Sequence, residues 1–163
     1  TDEKECCERI SAIRALSDSL GFHLVINART DSFYVSSGST KEKLSESISL
    51  GNKYSEAGAD CIFVQPVQDR ETIATLVKEI HAPVNILANP AMGGGLLLSI
   101  SELQDLGVAR VSLGSSVMRA TLAFIKKVAD ELSTSGTYNL LHETLTPFPD
   151  AVLAYQMATG TNK

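Results

Sequence analysis

The stretch Phe22-His23-Leu24-Val25-Ile26-Asn27-Ala28-Arg29-Thr30-Asp31 decides the fold. It opens as an apolar, β-branched run suited to a buried parallel strand. It ends abruptly in Arg29, Thr30 and Asp31, two of them charged. A strand that is apolar along its length and charged at its carboxyl end marks an α/β protein whose active face lies at that end.

Upstream, residues 2–20 place Ile10, Ile13, Leu16 (or Ser17) and Leu20 on one side, with charges elsewhere. That spacing predicts an amphipathic helix, stopped by Gly21. Downstream of a strand over 22–28, the Ser36–Thr40 run reads as a mobile connection or a lid. Thr40 is placed to cap a second helix, with Lys43 three residues on, so no capping box is expected. Leu44, Ile48 and Tyr54 form its buried side, and Ala57-Gly58 ends it. A second strand runs over 60–64, with Gln65 and Pro66 at its exit. A third helix starts at Asp69 or Arg70 and repeats Ile73, Leu76, Val77 and Ile80. Pro83 blocks its continuation.

A third strand, 84–88, ends in Asn89-Pro90 and is followed by Gly93-Gly94-Gly95. Ser99 and Glu102 have the spacing of a capping box, and Gly107 ends the short helix they start. A fourth strand, 109–113, exits into Gly114-Ser115-Ser116 and a helix reaching about Ser133. Past a looser tail, Pro149-Asp150 signals a last helix to about Thr159. Four strands alternating with helices require a parallel sheet covered by helices. A filled barrel takes about eight strands, so four cannot close one.

With 163 residues, 44% hydrophobic and 20% charged, the chain has one domain's worth of core. A net charge of -5 leaves no electrostatic footprint for nucleic acid or anionic membrane. Apolar runs fall far short of the roughly 18 residues of a membrane span, and no signal peptide is visible. Cys6, Cys7 and Cys61 fit neither a disulfide framework nor a CxxC metal site, so reduced thiols in a cytoplasmic setting are expected. The chain opens on Thr1 directly inside a helix, which raises the expectation that it is a piece of a longer protein.

The polar residues gather at strand exits: Arg29 and Asp31, Gln65, Asn89, and Ser112 with Gly114, Ser115 and Ser116. An anionic substrate needs local positive charge in so acidic a chain. Arg29 supplies it, as a fork of donors matched to a carboxylate or phosphate. Asp31 is placed to orient Arg29, the bland alternative being a plain ion pair. Gln65 and Asn89 can donate to a substrate oxygen or merely close their loops. Gly93–Gly95 and Gly114–Ser116 could cradle an anion through backbone N–H groups, or serve as a gate and a helix cap. His23, His81 and His142 form no metal spacing. No strand exit carries a lysine for Schiff-base chemistry, and no Ser, His and Asp combination suggests a hydrolase triad.

Four segments in this order resemble the phosphoenolpyruvate mutase/isocitrate lyase superfamily, in particular its 2-methylisocitrate lyase-like branch. They are Asn27-Ala28-Arg29-Thr30-Asp31-Ser32-Phe33, Ala57-Gly58-Ala59-Asp60-Cys61-Ile62-Phe63, Pro83-Val84-Asn85-Ile86-Leu87-Ala88, and Leu106 through Ser115. Gly136-Thr137-Tyr138 and Thr146-Pro147-Phe148 extend the likeness into the tail. The resemblance implies the C-terminal half of a (β/α)8 TIM-type barrel, from the helix before the fifth strand onward. Residues 1–135 would form the βα units and 136–163 a helical tail, exchanged between subunits in family tetramers. It implies a lyase or mutase acting on a 2-oxo acid or 2-methylisocitrate-like carboxylate through an enolate, with Mg²⁺.

By the same resemblance Arg29 grips the substrate carboxylate and Asn89 contacts substrate. Gln65 stands where the lyases carry a glutamate, and Ser112 to Ser115 line the same pocket. The family's metal-holding aspartates and its loop cysteine belong to the first half and have no counterpart in this chain. The expected partners are a small carboxylate and either further copies of the chain or the missing N-terminal half. The alternative is a non-catalytic half barrel that binds a small carboxylate or phosphate, or acts only through assembly.

Overall fold

The computed structural model describes residues 2–88 and 98–160. Asn89 and Gly93–Gly95, named above as candidate ligand-binding positions, lie outside the described residues. The chain divides into two compact units, Thr1–Ser116 and Val117–Lys163. No helix among the described residues is long and apolar enough to cross a membrane.

In the first unit the order is α1 (Glu3–Ser19), β1 (Asn27–Thr30), α2 (Ser32–Val35), α3 (Thr40–Glu56), β2 (Cys61–Val64), α4 (Arg70–Glu79), β3 (Val84–Leu87), α5 (Ile100–Asp105) and β4 (Arg110–Ser112). The four strands pair in sequence order, all parallel. Parallel neighbours need a crossover, and α3, α4 and α5 each provide one. Side chains alternate across the strands. Ala28, Ile62, Val64, Val84 and Ile86 meet Ile10 of α1, Tyr54 of α3, Ile73 and Leu76 of α4 and Leu103 of α5 in one buried cluster. The opposite face carries Arg29, Phe63, Asn85, Leu87, Arg110 and Ser112. In the second unit α6 (Ser116–Thr134) is followed by α7 (Asn139–Thr144) and α8 (Phe148–Thr159). Glu131 accepts bonds from the Thr137 hydroxyl and the backbone N–H groups of Asn139 and Leu140, which turns the chain into α7.

The first strand starts later than the 22–28 expected for it. β2 offers its first partner at Cys61, opposite Asn27, so residues 22–25 have no neighbouring strand to pair with. Side chains satisfy their backbone instead, as burial or proximity to the fold requires. The Ser17 hydroxyl donates to the Phe22 carbonyl (2.7 Å) and accepts from the Leu24 N–H (2.9 Å). The Ile26 N–H donates to the Asp60 carboxylate (2.7 Å). Ser17→Ala is therefore expected to cost about 1–2 kcal/mol, because two backbone groups lose their partner. Urea unfolding of the two proteins checks this, and an unchanged midpoint would rule the clamp out.

Two local expectations are corrected. On α1 the buried positions are Ile10 and Ser17, while Ile13, Leu16 and Leu20 are exposed. The helix seats by Ile10 and Ser17, with Cys6 and Cys7 packed against the core, rather than by Ile13, Leu16 and Leu20. The cap of α3 is Ser39, not Thr40, which moves Glu42 to the third helical position and completes a capping box. The Ser39 backbone N–H bonded to Glu42 holds that carboxyl below its usual range. Ser36 also donates to Glu46, so the Ser/Gly segment read as a lid is fastened to α3 at both of its ends.

Candidate functional site

The strand register assembles the site. Arg29 of β1 lies opposite Phe63 of β2, Phe63 opposite Asn85 of β3, and Asn85 opposite Arg110 of β4. These four side chains form one rung on the face away from the helices. Toward the carboxyl ends come Asp31, Gln65, Leu87 and Ser112. Arg29, Gln65, Arg110 and Ser112, with Gly114 and Ser115, bound an open concavity of about 600 Å³ that has Phe63 and Leu87 as its apolar floor. Among the described residues two arginines line it, and no aspartate or glutamate does.

Arg29 is held in place rather than consumed. Its Nη2 donates to Asp31 Oδ2 at 2.9 Å, and Gln65 Nε2 reaches Asp31 Oδ1 at 3.5 Å, the long limit for such a bond. Asp31 is free to do this because it caps α2 only through its backbone carbonyl, which accepts from Tyr34 and Val35. The remaining donors of the Arg29 fork have no partner among the described residues. A guanidinium oriented by a neighbouring carboxylate and still offering donors suits two-point capture of a carboxylate.

Asn85 is fully buried and locked to Ser112: Asn85 Nδ2 donates to Ser112 Oγ (3.0 Å), and Ser112 Oγ donates to Asn85 Oδ1 (3.1 Å). The pair sets the hydroxyl at the wall of the concavity. Gly114 turns the chain out of β4 at φ +56°, where a Cβ would also stand 3.2 Å from Leu87 Cδ1. A glycine there keeps the rim open. Burial pushes the Cys61 thiol up, with the Arg110 charge pulling the other way, which disfavours its thiolate.

Of the residues expected at the site, Arg29, Gln65, Ser112, Gly114 and Ser115 line one concavity and Asp31 stands behind Arg29. Asn89 lies outside the described residues. The sequence reading passed over Arg110, Phe63, Leu87 and Asn85. Arg110 was discoverable, because it stands two residues before Ser112 in the same strand and must share its face. Asn85 alternates in the same way with Leu87.

Among the described residues no group of three or more His, Cys, Asp or Glu side chains could hold a metal ion. Asp31, the carboxylate behind Arg29, is committed to that guanidinium. The donor set of the described residues therefore does not fit the Mg²⁺ that the resemblance implies.

The sequence pattern of the phosphoenolpyruvate phosphomutase family matches residues 1–133. Over 136 residues the chain is 29% identical to a 2-methylisocitrate lyase of Halalkalibacterium halodurans, covering 83% of this chain and 41% of that enzyme. It is 37% identical to an uncharacterized protein of Mycobacterium tuberculosis over 90 residues, 55% of this chain and 31% of that one. A solved chain of Burkholderia cenocepacia, provisionally named a lyase/mutase, superposes with a TM-score of 0.78 at 29% identity, over 97% of this chain and 53% of its own length. A 2,3-dimethylmalate lyase shares the fold with a TM-score of 0.77 at 21% identity, over 98% and 55%. The chain thus spans about half or less of each of these relatives, and its four parallel strands are part of their TIM-type barrel. The pattern match over most of its length makes this chain a member of the phosphoenolpyruvate phosphomutase family.

Proposed function

We propose that the concavity binds the carboxylate of a small organic acid, as the carboxylate-holding half of a lyase or mutase site. The substrate class is a 2-oxo acid or a 2-methylisocitrate-like carboxylate, handled through an enolate. One observation carries the reading: Arg29 projects from β1 into an acid-free concavity with most of its donors unengaged and its orientation fixed by Asp31. The residues of this chain bind and orient. Arg29 takes the carboxylate, the Gln65 amide, which keeps a second N–H, stands ready for a further oxygen, and Phe63 and Leu87 shield the carbon skeleton from water.

Calorimetric titration of this chain with pyruvate tests the reading. Binding is expected with or without Mg²⁺, and Arg29→Ala should weaken it about ten- to a hundredfold, the worth of a charge-assisted pair. Arg29→Lys should fall between, since it keeps the charge and loses the fork. Equal affinity in wild type and Arg29→Ala would refute the assignment.

A further inference from the structure

β1 is an edge of the sheet, with β2 as its one neighbour among the described strands. The Ile26 carbonyl accepts from the Asp60 and Cys61 N–H groups, and Asn27 stands opposite Cys61. Successive residues of a strand direct their backbone groups to alternate sides. Ala28 and Thr30 therefore bond toward β2, and the N–H and C=O groups of Asn27 and Arg29 point out of the sheet. Such an edge is a template for another strand.

Apolar side chains border that edge at both ends. On α1, Arg14 reaches away from it, to Gly58 and Asp60 beside β2. Ile13 and Leu20 lie roughly 100–120° round the helix from Arg14, on the flank toward the open edge. Both are exposed, as are Phe22, Leu24 and Val25 ahead of β1 and Val35 just beyond it. A groove of about 200 Å³ runs between α1 and the strand, walled by Cys6, Ile10, Ile26, Ala28 and Tyr54.

We infer that this edge is a dimer seam, and that its occupant is the same edge of a second copy of this chain. A two-fold axis normal to the sheet reverses the second strand, keeps both helix layers on one face and falls at Ala28. Asn27 then exchanges backbone bonds with Arg29 of the partner subunit, and Arg29 with the partner's Asn27, so the outward groups of the strand are paired. The two Ala28 residues meet as a non-hydrogen-bonded pair, with Cα atoms about 4.5 Å apart, an approach that a methyl side chain permits. The same register sets Asn27, whose Oδ1 is shielded from solvent and has no hydrogen-bond partner, across from a guanidinium with donors to spare. Reversal also carries Val35 toward Phe22, Leu24 and Val25 of the partner subunit, and lays the two α1 flanks side by side. Ile13, Leu20, Phe22, Leu24, Val25 and Val35 together expose on the order of 600 Å², most of the roughly 800 Å² per partner of a standard interface. The strand edge and its polar rim supply the remainder.

Sedimentation velocity of the full chain over a wide concentration range, with amide hydrogen exchange read residue by residue, tests the seam. Wild type should sediment at twice the mass of one chain. Its Asn27 and Arg29 amides should exchange slowly in the dimer and fast on dilution, while those of Ala28 and Thr30 stay protected in both. Asn27→Pro removes an outward N–H that the ladder to β2 does not use, so the fold should persist and self-association should weaken at least about tenfold. Val25→Glu, at an exposed position, should weaken it as much by bringing like charges to the seam, and guards against a folding defect in the proline variant. A monomer at every concentration overturns the seam and leaves the edge to a different strand. A dimer whose Asn27 and Arg29 amides still exchange fast overturns it equally, because the copies then meet elsewhere on the chain.

Discussion

Leu76→Ala is expected to destabilise the protein by about 3 kcal/mol and to lower its melting temperature by roughly 6–12 °C. Leu76 sits on the buried stripe of α4 and is 0% exposed. Its cluster includes Ile62, Val64, Ile73 and Ile86, all similarly enclosed. Deleting its branched end removes both transfer free energy and packing contacts, and the loss is larger where the walls cannot close in. Here they are stiff, because β2 and β3 are the interior strands of the sheet, hydrogen-bonded on both sides. The hole persists. Leu16→Ala on α1 is the control: the same atoms are removed from a side chain 57% exposed, and the expected change is within about 0.5 kcal/mol. Thermal melts of the three proteins decide it, and equal losses in both variants would place the core elsewhere.

The contrast between Leu76 and Leu16 also shows what periodicity can and cannot read. Ile73, Leu76 and Ile80 recur at the helical repeat, and α4 with its cap residue Ile80 buries all three in the core cluster. On α1 the apolar repeat Ile13, Leu16, Leu20 is just as regular, yet the helix seats by Ile10 and Ser17. A repeat names a face and does not say which neighbour covers it. The start of β1 failed for a related reason. Residues 22–26 are apolar enough for a strand, but a ladder needs a partner, and β2 begins opposite Asn27. Strand exits were readable because polar residues end apolar runs, which placed Arg29, Gln65 and Ser112 at one concavity. Arg110 and Asn85 were missed because they lie inside strands, where a polar residue announces itself only after the facing side is known. The cap of α3 turned on a single residue: shifting from Thr40 to Ser39 brings Glu42, not Lys43, into bonding position.

Asp60→Asn is expected to destabilise the protein by about 2–3 kcal/mol at neutral pH and to flatten its response to acid. Asp60 ties three segments together. Its Oδ2 accepts from the Ile26 N–H at 2.7 Å and from Arg14 Nη2 at 2.5 Å, and its Oδ1 meets His23 Nε2 at 2.7 Å. Arg14 in turn donates through Nε and Nη2 to the Gly58 carbonyl, lying so close that a Cβ on Gly58 would stand 3.1 Å from its own. Gly58, at φ +111°, is the residue type that permits both the turn and the approach. An asparagine keeps the shape but offers one acceptor where two are used, and it leaves the partly enclosed Arg14 charge uncompensated. Exposure of the cluster keeps the cost below that of a fully buried pair. Burial alone would raise the Asp60 carboxyl, but the bonds from Ile26, His23 and Arg14 outweigh it and hold the group below its ordinary value. A folded-state value below the unfolded one, which is about 3.9, means that the unfolded chain takes up the proton first. The contribution of Asp60 is therefore complete above about pH 4 to 5 and is lost as pH falls through its lower folded value. Wild type should thus lose denaturant stability between about pH 5 and pH 2.5 by more than Asp60→Asn does, and Arg14→Ala should narrow the same gap. Parallel acid profiles for wild type and Asp60→Asn would show that the carboxylate does not anchor the entry to β1, the strand whose next turn of residues carries Arg29.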